Sequence, residues 1–377
     1  MTEKQKELVD NGFDSDFSEQ RIDEICSLFG SEVELQEYID RIHLEDNAID
    51  MKRGEFYPEI LRGIISMKRA LSMAYGIDPG HAHPNFGCNG SIDTIMTAMK
   101  LREVNRGINP AKEGGMLVAT PTYFRNYNSC SAKQVRMVKV PVRQPDWSFD
   151  LDGMLNAMAE FNPTVVFLVT PNNPTGIAIP DSDILTMLDA APEDTLIVMD
   201  RTLVNINAQI ATVDLLKMFG HKQLAILHSF SKYSGMSHLR TGFALYSNCN
   251  LADEIKPHLP LGLGLEGCIK ATRILLKDGP IQPNQGILDN IRGSKEILEN
   301  FCQRSGRFSC TDFAGNYCLL ILPRDITPQQ VVQSLLEEGI YIMGGHDFPE
   351  PVDGVVRLHT GGRPEYMEMT VRALEKL

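Results

Sequence analysis

Two cations stand eight residues apart in the segment HSFSKYSGMSHLRTG, which begins at His228. Lys232 lies between two serines, and Arg240 follows a loop-like stretch. Two positive charges on one short loop repel each other unless an anion lies close to both. The spacing therefore predicts an anion-binding loop, to which Ser229 is placed to add a hydroxyl group.

Three apolar runs that are typical of buried strands each lead into a polar side chain. VVFLVT leads into PNNPTG with Asn173, LIVMD ends on Asp200, and LAILHS ends at Ser229, three residues before Lys232. Because ligands of open α/β sheets bind beyond the carboxyl ends of the strands, we expect these side chains at one rim. Taken alone, Asp200 suits a helix N-cap and NNPTG suits an ordinary turn.

The lysine at this rim suggests covalent chemistry. A lysine that is desolvated beside another cation can form a Schiff base with a carbonyl group. A carbonyl cofactor with a phosphate would use Lys232 at its aldehyde and Ser229 and Arg240 at its phosphate, and pyridoxal 5′-phosphate carries both groups. Its ring nitrogen needs a carboxylate partner, which Asp200 would supply, and its phenolic oxygen needs a donor such as Asn173.

Two further segments offer contacts to such a cofactor. Tyr123 in PTYFRNY could stack on the ring, although it fits a core position about equally well. CNGSIDTIMTAM predicts a turn at Gly90 and Ser91 that opens a helix, and the backbone around Ser91 and Ile92 would bind the phosphate. GHAHPNF is interpreted as a loop, and no metal-ligand spacing is recognised among the cysteines and histidines.

Taken in this order, NGSID, PTYFRNY, TPNNPTG, VMD and SFSKYSGMSHLRTG resemble the fold-type I enzymes that depend on pyridoxal phosphate. More narrowly, the chain is similar to class I/II aminotransferases of the histidinol-phosphate aminotransferase type, over roughly residues 55–375. The resemblance implies an amino-acid substrate, with Lys232 as Schiff-base lysine and proton shuttle.

The resemblance also implies two residues outside the central segments. Arg357 in GVVRLHTGG matches the arginine that forks onto the substrate α-carboxylate, for which a structural ion pair is the alternative. Tyr57 in FYPEI is similar to the tyrosine that reaches the phosphate from the partner subunit. A homodimer with its active site at the subunit interface is therefore expected.

One position departs from the family pattern. Leu203 stands where these transaminases carry a tyrosine that gives the phenolic oxygen a second hydrogen bond. Its loss should raise the proton affinity of the adjacent imine. Thr202 could compensate, but neighbours on a strand-like segment point to opposite sides. Transamination is the first expectation; the alternative is β/γ-elimination, cyclisation or decarboxylation of a polar or cationic amino acid in specialised metabolism.

The elements that must position these residues follow from the hydrophobic pattern. Short apolar runs alternate with helix-length segments after residue 116, which predicts a mainly parallel central sheet flanked by helices. We expect a large cofactor-binding α/β domain over residues 50–265. Residues 1–49 plus 266–377 are expected to form a smaller α+β domain, to which two N-terminal helices after Ser18 and Ser31 contribute.

Bulk properties exclude several classes of protein. The 377-residue chain has a net charge of −13, which argues against a nucleic-acid partner. The first fifty residues are strongly acidic, either as a docking face or as a solvated helical surface. No secretory signal, membrane-length apolar run or CxxC pair occurs, so a cytoplasmic protein without a membrane partner is expected. A ligand sensor is the alternative to an enzyme, but the basic DNA-binding extension typical of such sensors is absent from the sequence.

Overall fold

The computed structural model of the protein describes residues 57–260 and 263–377, without the side chains of residues 57–62 and Cys249. The two helices predicted after Ser18 and Ser31 lie outside these residues, as does the acidic N-terminal segment. Within the described ranges, each helix is too short or too polar to cross a membrane.

The strands of the described residues match the apolar runs of the sequence. Six predicted runs, from MLVAT to GFALYS, coincide with β2 to β7. The strands are β1 (Ala82–Asn85), β2 (Met116–Thr120), β3 (Met137–Pro141), β4 (Val165–Val169), β5 (Leu196–Asp200), β6 (Leu224–Ser229), β7 (Gly242–Tyr246), β8 (Ser309–Cys310), β9 (Tyr317–Ile321), β10 (Met343–Gly344) and β11 (Val355–His359).

Helices follow most of these strands, as expected for an α/β chain. They are α1 (Tyr57–Tyr75), α2 (Gly87–Asn105), α3 (Phe124–Lys133), α4 (Leu151–Phe161), α5 (Asp181–Ala190), α6 (Thr212–Met218), α7 (Phe230–Tyr233), α8 (Cys249–Ile255), α9 (Leu265–Asp278), α10 (Gln285–Ser305), α11 (Pro328–Glu337) and α12 (Pro364–Leu374).

The chain divides into two compact units. Among the described residues, unit 1 comprises residues 57–98, 212–260 and 263–282, and unit 2 comprises residues 99–211 and 283–377. These limits differ from those of the domains that the hydrophobic pattern predicts. The predicted domain limits, 50–265 and 1–49 plus 266–377, stay a prediction.

Unit 1 contains three antiparallel strands in the order β1, β7, β6. Buried side chains of these strands and of α1 form an aromatic core. The rings of His228 and Phe243 stack at 5.4 Å, and Tyr75 at the end of α1 meets Phe243 edge-on at 5.8 Å. The imidazole of His228 is also 2.9 Å from the hydroxyl of Thr212. This packing supports the end of β6, where Ser229 and the lysine loop begin.

Two local predictions in unit 1 are wrong. GHAHPNF is not a simple loop, because Ala82–Asn85 forms β1 and the His83 ring packs against Tyr246 at 4.7 Å. The helix predicted to open at Gly90 and Ser91 begins at Gly87 instead. Gly87 has a φ of +62°, a left-handed conformation that favours glycine, so the turn lies there and Ser91 falls inside the helix.

Unit 2 contains four parallel strands in the order β3, β2, β4, β5. All residues of β4 and β5 are buried, which explains why both strands are apolar runs without alternation. Val169 is the register partner of Asp200, so these two strands end at the same level. The loops that carry Asn173 and Thr202 therefore leave the sheet from adjacent strand ends.

The C-terminal part of unit 2 has a different architecture. A four-stranded antiparallel sheet in the order β10, β11, β9, β8 accompanies helices α10, α11 and α12. Among the strand pairs within the two units, β2–β3, β2–β4 and β4–β5 are parallel, whereas β7 runs antiparallel to both β1 and β6. The predicted fold class, a mainly parallel α/β sheet with helices and a smaller α+β part, is confirmed.

A buried carboxylate ties α2 to the strands of unit 2, and its removal should destabilise the fold. Glu103 is 2% exposed and accepts hydrogen bonds from the Gly115 amide at 2.7 Å and from the Thr164 hydroxyl. Glu103→Ala leaves the buried Gly115 amide without an acceptor, at a cost of about 1–3 kcal/mol, and also removes the partner of the partly buried Thr164 hydroxyl. We expect the thermal unfolding midpoint to fall by several degrees. The exposed Glu113→Ala is the control, and an equal midpoint for both variants would contradict this role.

Candidate active site

An anion cradle lies at the start of α2 in unit 1. A Cβ atom placed on Gly87 would lie 3.3 Å from Nη2 of Arg240 and 3.7 Å from Oγ of Ser229. Glycine therefore leaves open a small space that a guanidinium group and a hydroxyl border. The predicted phosphate ligands Ser229 and Arg240 are thus brought together, and Gly87 is a site residue that the sequence analysis missed.

Ser91 and Ile92 lie in the first turns of α2, close in sequence to Gly87. Both residues are fully buried, and the hydroxyl of Ser91 has no hydrogen-bond partner among the described residues. A buried hydroxyl without a partner costs free energy, and the amide groups at a helix N-terminus attract anions. The cradle therefore fits a phosphate group.

Lys232 follows this cradle directly along the chain. Ser229 is the last residue of β6 and caps the one-turn helix α7, its hydroxyl accepting from the Ser231 amide at 3.2 Å. Lys232 lies on α7 and is half-buried, while Arg240 takes a left-handed φ of +51° after the loop. The cap and the turn fix the path of the backbone between the lysine and the arginine.

Asp200 ends β5 in unit 2 and is 4% exposed. Its Oδ1 accepts a hydrogen bond of 2.9 Å from the amide of Thr202. Buried carboxylates require such partners, and this one holds the side chain at the end of the strand. Leu203 is also buried, at 7% exposure, so the position of the missing tyrosine is filled by an apolar side chain.

Asn173 and Arg357 are in direct contact, although 184 positions separate them in the sequence. Nη1 of Arg357 donates to Oδ1 of Asn173 at 2.8 Å. Because a guanidinium group can only donate, the amide oxygen of Asn173 must face it. The amide nitrogen of Asn173 is thereby left to donate to another group, as its predicted role requires.

The environment of Arg357 suits a carboxylate ligand. Its guanidinium carbon lies 4.5 Å from the ring centroid of Tyr317, and burial lowers the pKa of Arg357 while Tyr317 and Tyr123 oppose that shift. No Asp or Glu of the described residues pairs with it. The alternative of a structural ion pair is therefore not supported within these residues.

Other predicted site residues have plainer surroundings. Tyr123 is half-buried, precedes α3 and meets Phe124 edge-on at 4.7 Å. Tyr317 on β9 was missed, because a continuous apolar strand such as NYCLLILP does not reveal which of its residues lies against an arginine. The side chain of Tyr57 lies outside the described part of the chain, and only its place at the start of α1 is described.

Histidinol-phosphate aminotransferases resemble this chain both in sequence and in fold. A curated histidinol-phosphate aminotransferase of Vibrio vulnificus is 25% identical over 301 residues, which cover 79% of this chain and 80% of that protein. A putative histidinol-phosphate aminotransferase from Erwinia carotovora atroseptica has a similar structure, with a TM-score of 0.72 and 18% identity, over 91% of each chain.

Two further solved structures share the fold. L-threonine-O-3-phosphate decarboxylase from Porphyromonas gingivalis has a TM-score of 0.67 and 19% identity, over 92% of this chain and 96% of that one. The histidinol-phosphate aminotransferase from Sinorhizobium meliloti, solved with pyridoxal 5′-phosphate, has a TM-score of 0.65 and 21% identity, over 91% and 86%.

The family model for aminotransferase class I and II matches residues 84–374. This match covers most of the chain and includes each predicted site residue except Tyr57. It confirms the predicted family, the predicted pyridoxal-phosphate-dependent enzyme and the predicted cofactor. The chain belongs to the aminotransferase class I and II family.

Proposed function

We propose that this protein transfers the amino group of an amino acid, with Lys232 as the residue that binds the cofactor covalently and carries the proton at Cα. The observation that carries the proposal is the contact between Arg357 and Asn173. In this contact, Arg357 could bind the carboxylate of a substrate, and the neighbouring Asn173 amide could bind the cofactor. When bound, pyridoxal phosphate supplies an aldehyde that bonds to amines and a ring that accepts electrons from Cα.

The residues of unit 1 would hold the phosphate. Arg240 and Ser229 border the space over Gly87, and Ser91 offers a hydroxyl that has no other described partner. The amide groups around Ile92 add the helix N-terminus. A phosphate held here would bring the aldehyde to Lys232, which follows Ser229 by three residues.

The residues of unit 2 would orient the ring and the substrate. The Asp200 carboxylate would keep the ring nitrogen protonated, and the Asn173 amide would donate to the phenolic oxygen. Tyr123 would stack on the ring. Arg357 would use its remaining N–H groups to hold the α-carboxylate, which places the Cα–H bond of the substrate for proton removal by Lys232.

A homodimer belongs to this proposal, because Tyr57 would bind the phosphate of the partner subunit. We also propose a cytoplasmic location, because the eight cysteines are scattered without a CxxC pair, which suits a reducing compartment. The apparent mass in solution tests the dimer. Tyr57→Phe should weaken cofactor binding in the dimer, and a monomeric active enzyme would contradict this part of the proposal.

A second reaction is favoured by one observation. Leu203 replaces the usual tyrosine, and its burial leaves no polar group at that position. Elimination, cyclisation or decarboxylation of a polar or cationic amino acid is the alternative outcome. The similar fold of L-threonine-O-3-phosphate decarboxylase is compatible with it, although at 19% identity the similarity concerns the fold alone.

Product analysis separates the two reactions. The loaded protein is mixed with single amino acids in the absence of an amino acceptor. Transamination should yield keto acid and pyridoxamine phosphate in a one-to-one ratio, and the reaction should stop after one turnover. Continued turnover with release of carbon dioxide or ammonia would overturn transamination in favour of the alternative, and binding without turnover would indicate a ligand sensor.

Arg357→Lys tests the substrate carboxylate site. Lysine cannot form two parallel hydrogen bonds with a carboxylate while it also holds Asn173. We expect kcat/KM for the amino acid to fall by about 10–100-fold, mostly through KM. Arg372→Lys, at an exposed position of α12, is the control. If kcat/KM is unchanged in Arg357→Lys, Arg357 does not hold the substrate.

A further inference from the structure

The segment after β5 contains a buried hydroxyl that the proposed function does not use. Oγ1 of Thr202 is excluded from solvent and has no hydrogen-bond partner among the described residues. A buried hydroxyl costs free energy unless another group accepts a hydrogen bond from it. The two neighbours in sequence, Arg201 and Leu203, are both buried.

The backbone holds Thr202 beside the carboxylate of Asp200. The Thr202 amide donates to Oδ1 of Asp200 at 2.9 Å, a local turn that follows the last residue of β5. Strand alternation therefore ends at Asp200 and no longer decides which way Thr202 and Leu203 point. The objection raised from the sequence, that neighbours must face opposite sides, does not apply beyond the strand.

The same turn lies level with the loop of Asn173. Asp200 is the register partner of Val169, and the Thr170 amide donates to the Asp200 carbonyl at 3.0 Å. Thr202 thus leaves the sheet next to the segment that leads to Asn173. The charged and titratable groups of unit 2 near these residues are Asp200 and Arg201 in the turn, Arg357 at Asn173, and Tyr123 and Tyr317 beside Arg357. The guanidinium group of Arg201 donates to the Ile210 carbonyl at 2.9 Å.

We propose that the Thr202 hydroxyl donates the second hydrogen bond to the phenolic oxygen of the cofactor, in place of the tyrosine that Leu203 replaces. The inference rests on the proposed function, since it assigns a partner to a group of the bound cofactor. Thr202 is a positioning residue. Its hydrogen bond would stabilise negative charge on the phenolic oxygen, and this would lower the proton affinity of Nζ of Lys232 when that nitrogen is joined to the cofactor.

Thr202→Val removes the hydroxyl and nearly conserves the volume. In the cofactor-free protein the hydroxyl has no described partner, so the unfolding midpoint should stay the same or rise. The dissociation constant for pyridoxal phosphate, measured by equilibrium dialysis, should rise about 10-fold, or about 1.4 kcal/mol. The pH at which the visible band of the lysine-bound cofactor changes should also rise, and Thr202→Ser should restore both values.

Thr195→Val is the matched control. Thr195 lies just before β5, at the other end from Asp200, and its buried hydroxyl donates to the Pro163 carbonyl at 2.9 Å. This variant should lose stability without the cofactor and keep the spectrum and the dissociation constant of the wild type. It therefore shows the pattern of a hydroxyl with a purely structural role.

The outcomes distinguish the two proposals. A Thr202→Val variant with the wild-type dissociation constant and spectral titration overturns the role of Thr202, as does a loss of stability like that of Thr195→Val. Neither result affects the proposed function. If the wild-type protein forms no visible band with pyridoxal phosphate, the proposed function itself fails.

Discussion

Lys232→Ala should lower the turnover of every amino-acid substrate by at least about 10⁴-fold. The change removes both the amine that binds the cofactor covalently and the base that moves the proton at Cα, and general acid–base catalysis alone contributes about 10²–10⁴-fold. The phosphate ligands Ser229 and Arg240 are retained, so the cofactor should still bind without a covalent bond.

Borohydride reduction followed by mass spectrometry tests the covalent part of this prediction. The wild-type protein should carry the reduced cofactor on the peptide with Lys232, and the variant should carry none. Lys217→Ala, on the exposed side of α6, is the control and should keep both the label and the turnover. Label on another lysine of the wild type would contradict the assignment of Lys232.

Asp200→Asn should reduce turnover by about 10³-fold and leave the fold intact. An amide cannot hold the ring nitrogen in its protonated form, so the ring no longer takes up electrons efficiently from Cα. The asparagine oxygen can still accept the hydrogen bond from the Thr202 amide, which preserves the turn after β5. The loss should therefore appear in kcat, with cofactor binding weakened far less.

Steady-state kinetics and cofactor titration of the same preparation measure these two effects separately. Asp189→Asn, at an exposed position near the end of α5, is the matched control and should behave as the wild type. An Asp200→Asn variant with near-normal kcat would indicate that Asp200 only caps the turn, the structural alternative that the sequence leaves open.

Much of the fold follows from local patterns in the sequence. The runs VVFLV and LIVMD are continuous apolar segments because β4 and β5 are buried on both faces, so their type could be recognised without any tertiary information. The order of Asn173, Asp200, Lys232 and Arg240 along the chain is likewise a property of the sequence alone. It was sufficient to indicate the family and the cofactor.

Local patterns were misleading where the fold overrides them. The strand β1 was missed because AHPN contains a proline and a histidine, which do not indicate a strand. Its extended conformation depends on pairing with β7, a segment far away in the sequence. The start of α2 was placed too late because the left-handed φ of Gly87, rather than the presence of small residues, decides where the turn occurs. Both errors concern conformations that depend on contacts with distant residues.

The sequence by itself determined the family, the type of cofactor and the strands that carry the central polar residues. Only the tertiary structure decided that Arg357 contacts Asn173 and that Gly87 opens a space beside Ser229 and Arg240. It also decided that the Thr202 amide contacts Asp200 while the Thr202 hydroxyl is buried. The physical reason is that hydrophobic periodicity reports which face of an element is buried. Contacts between side chains far apart in the chain depend on how those elements pack.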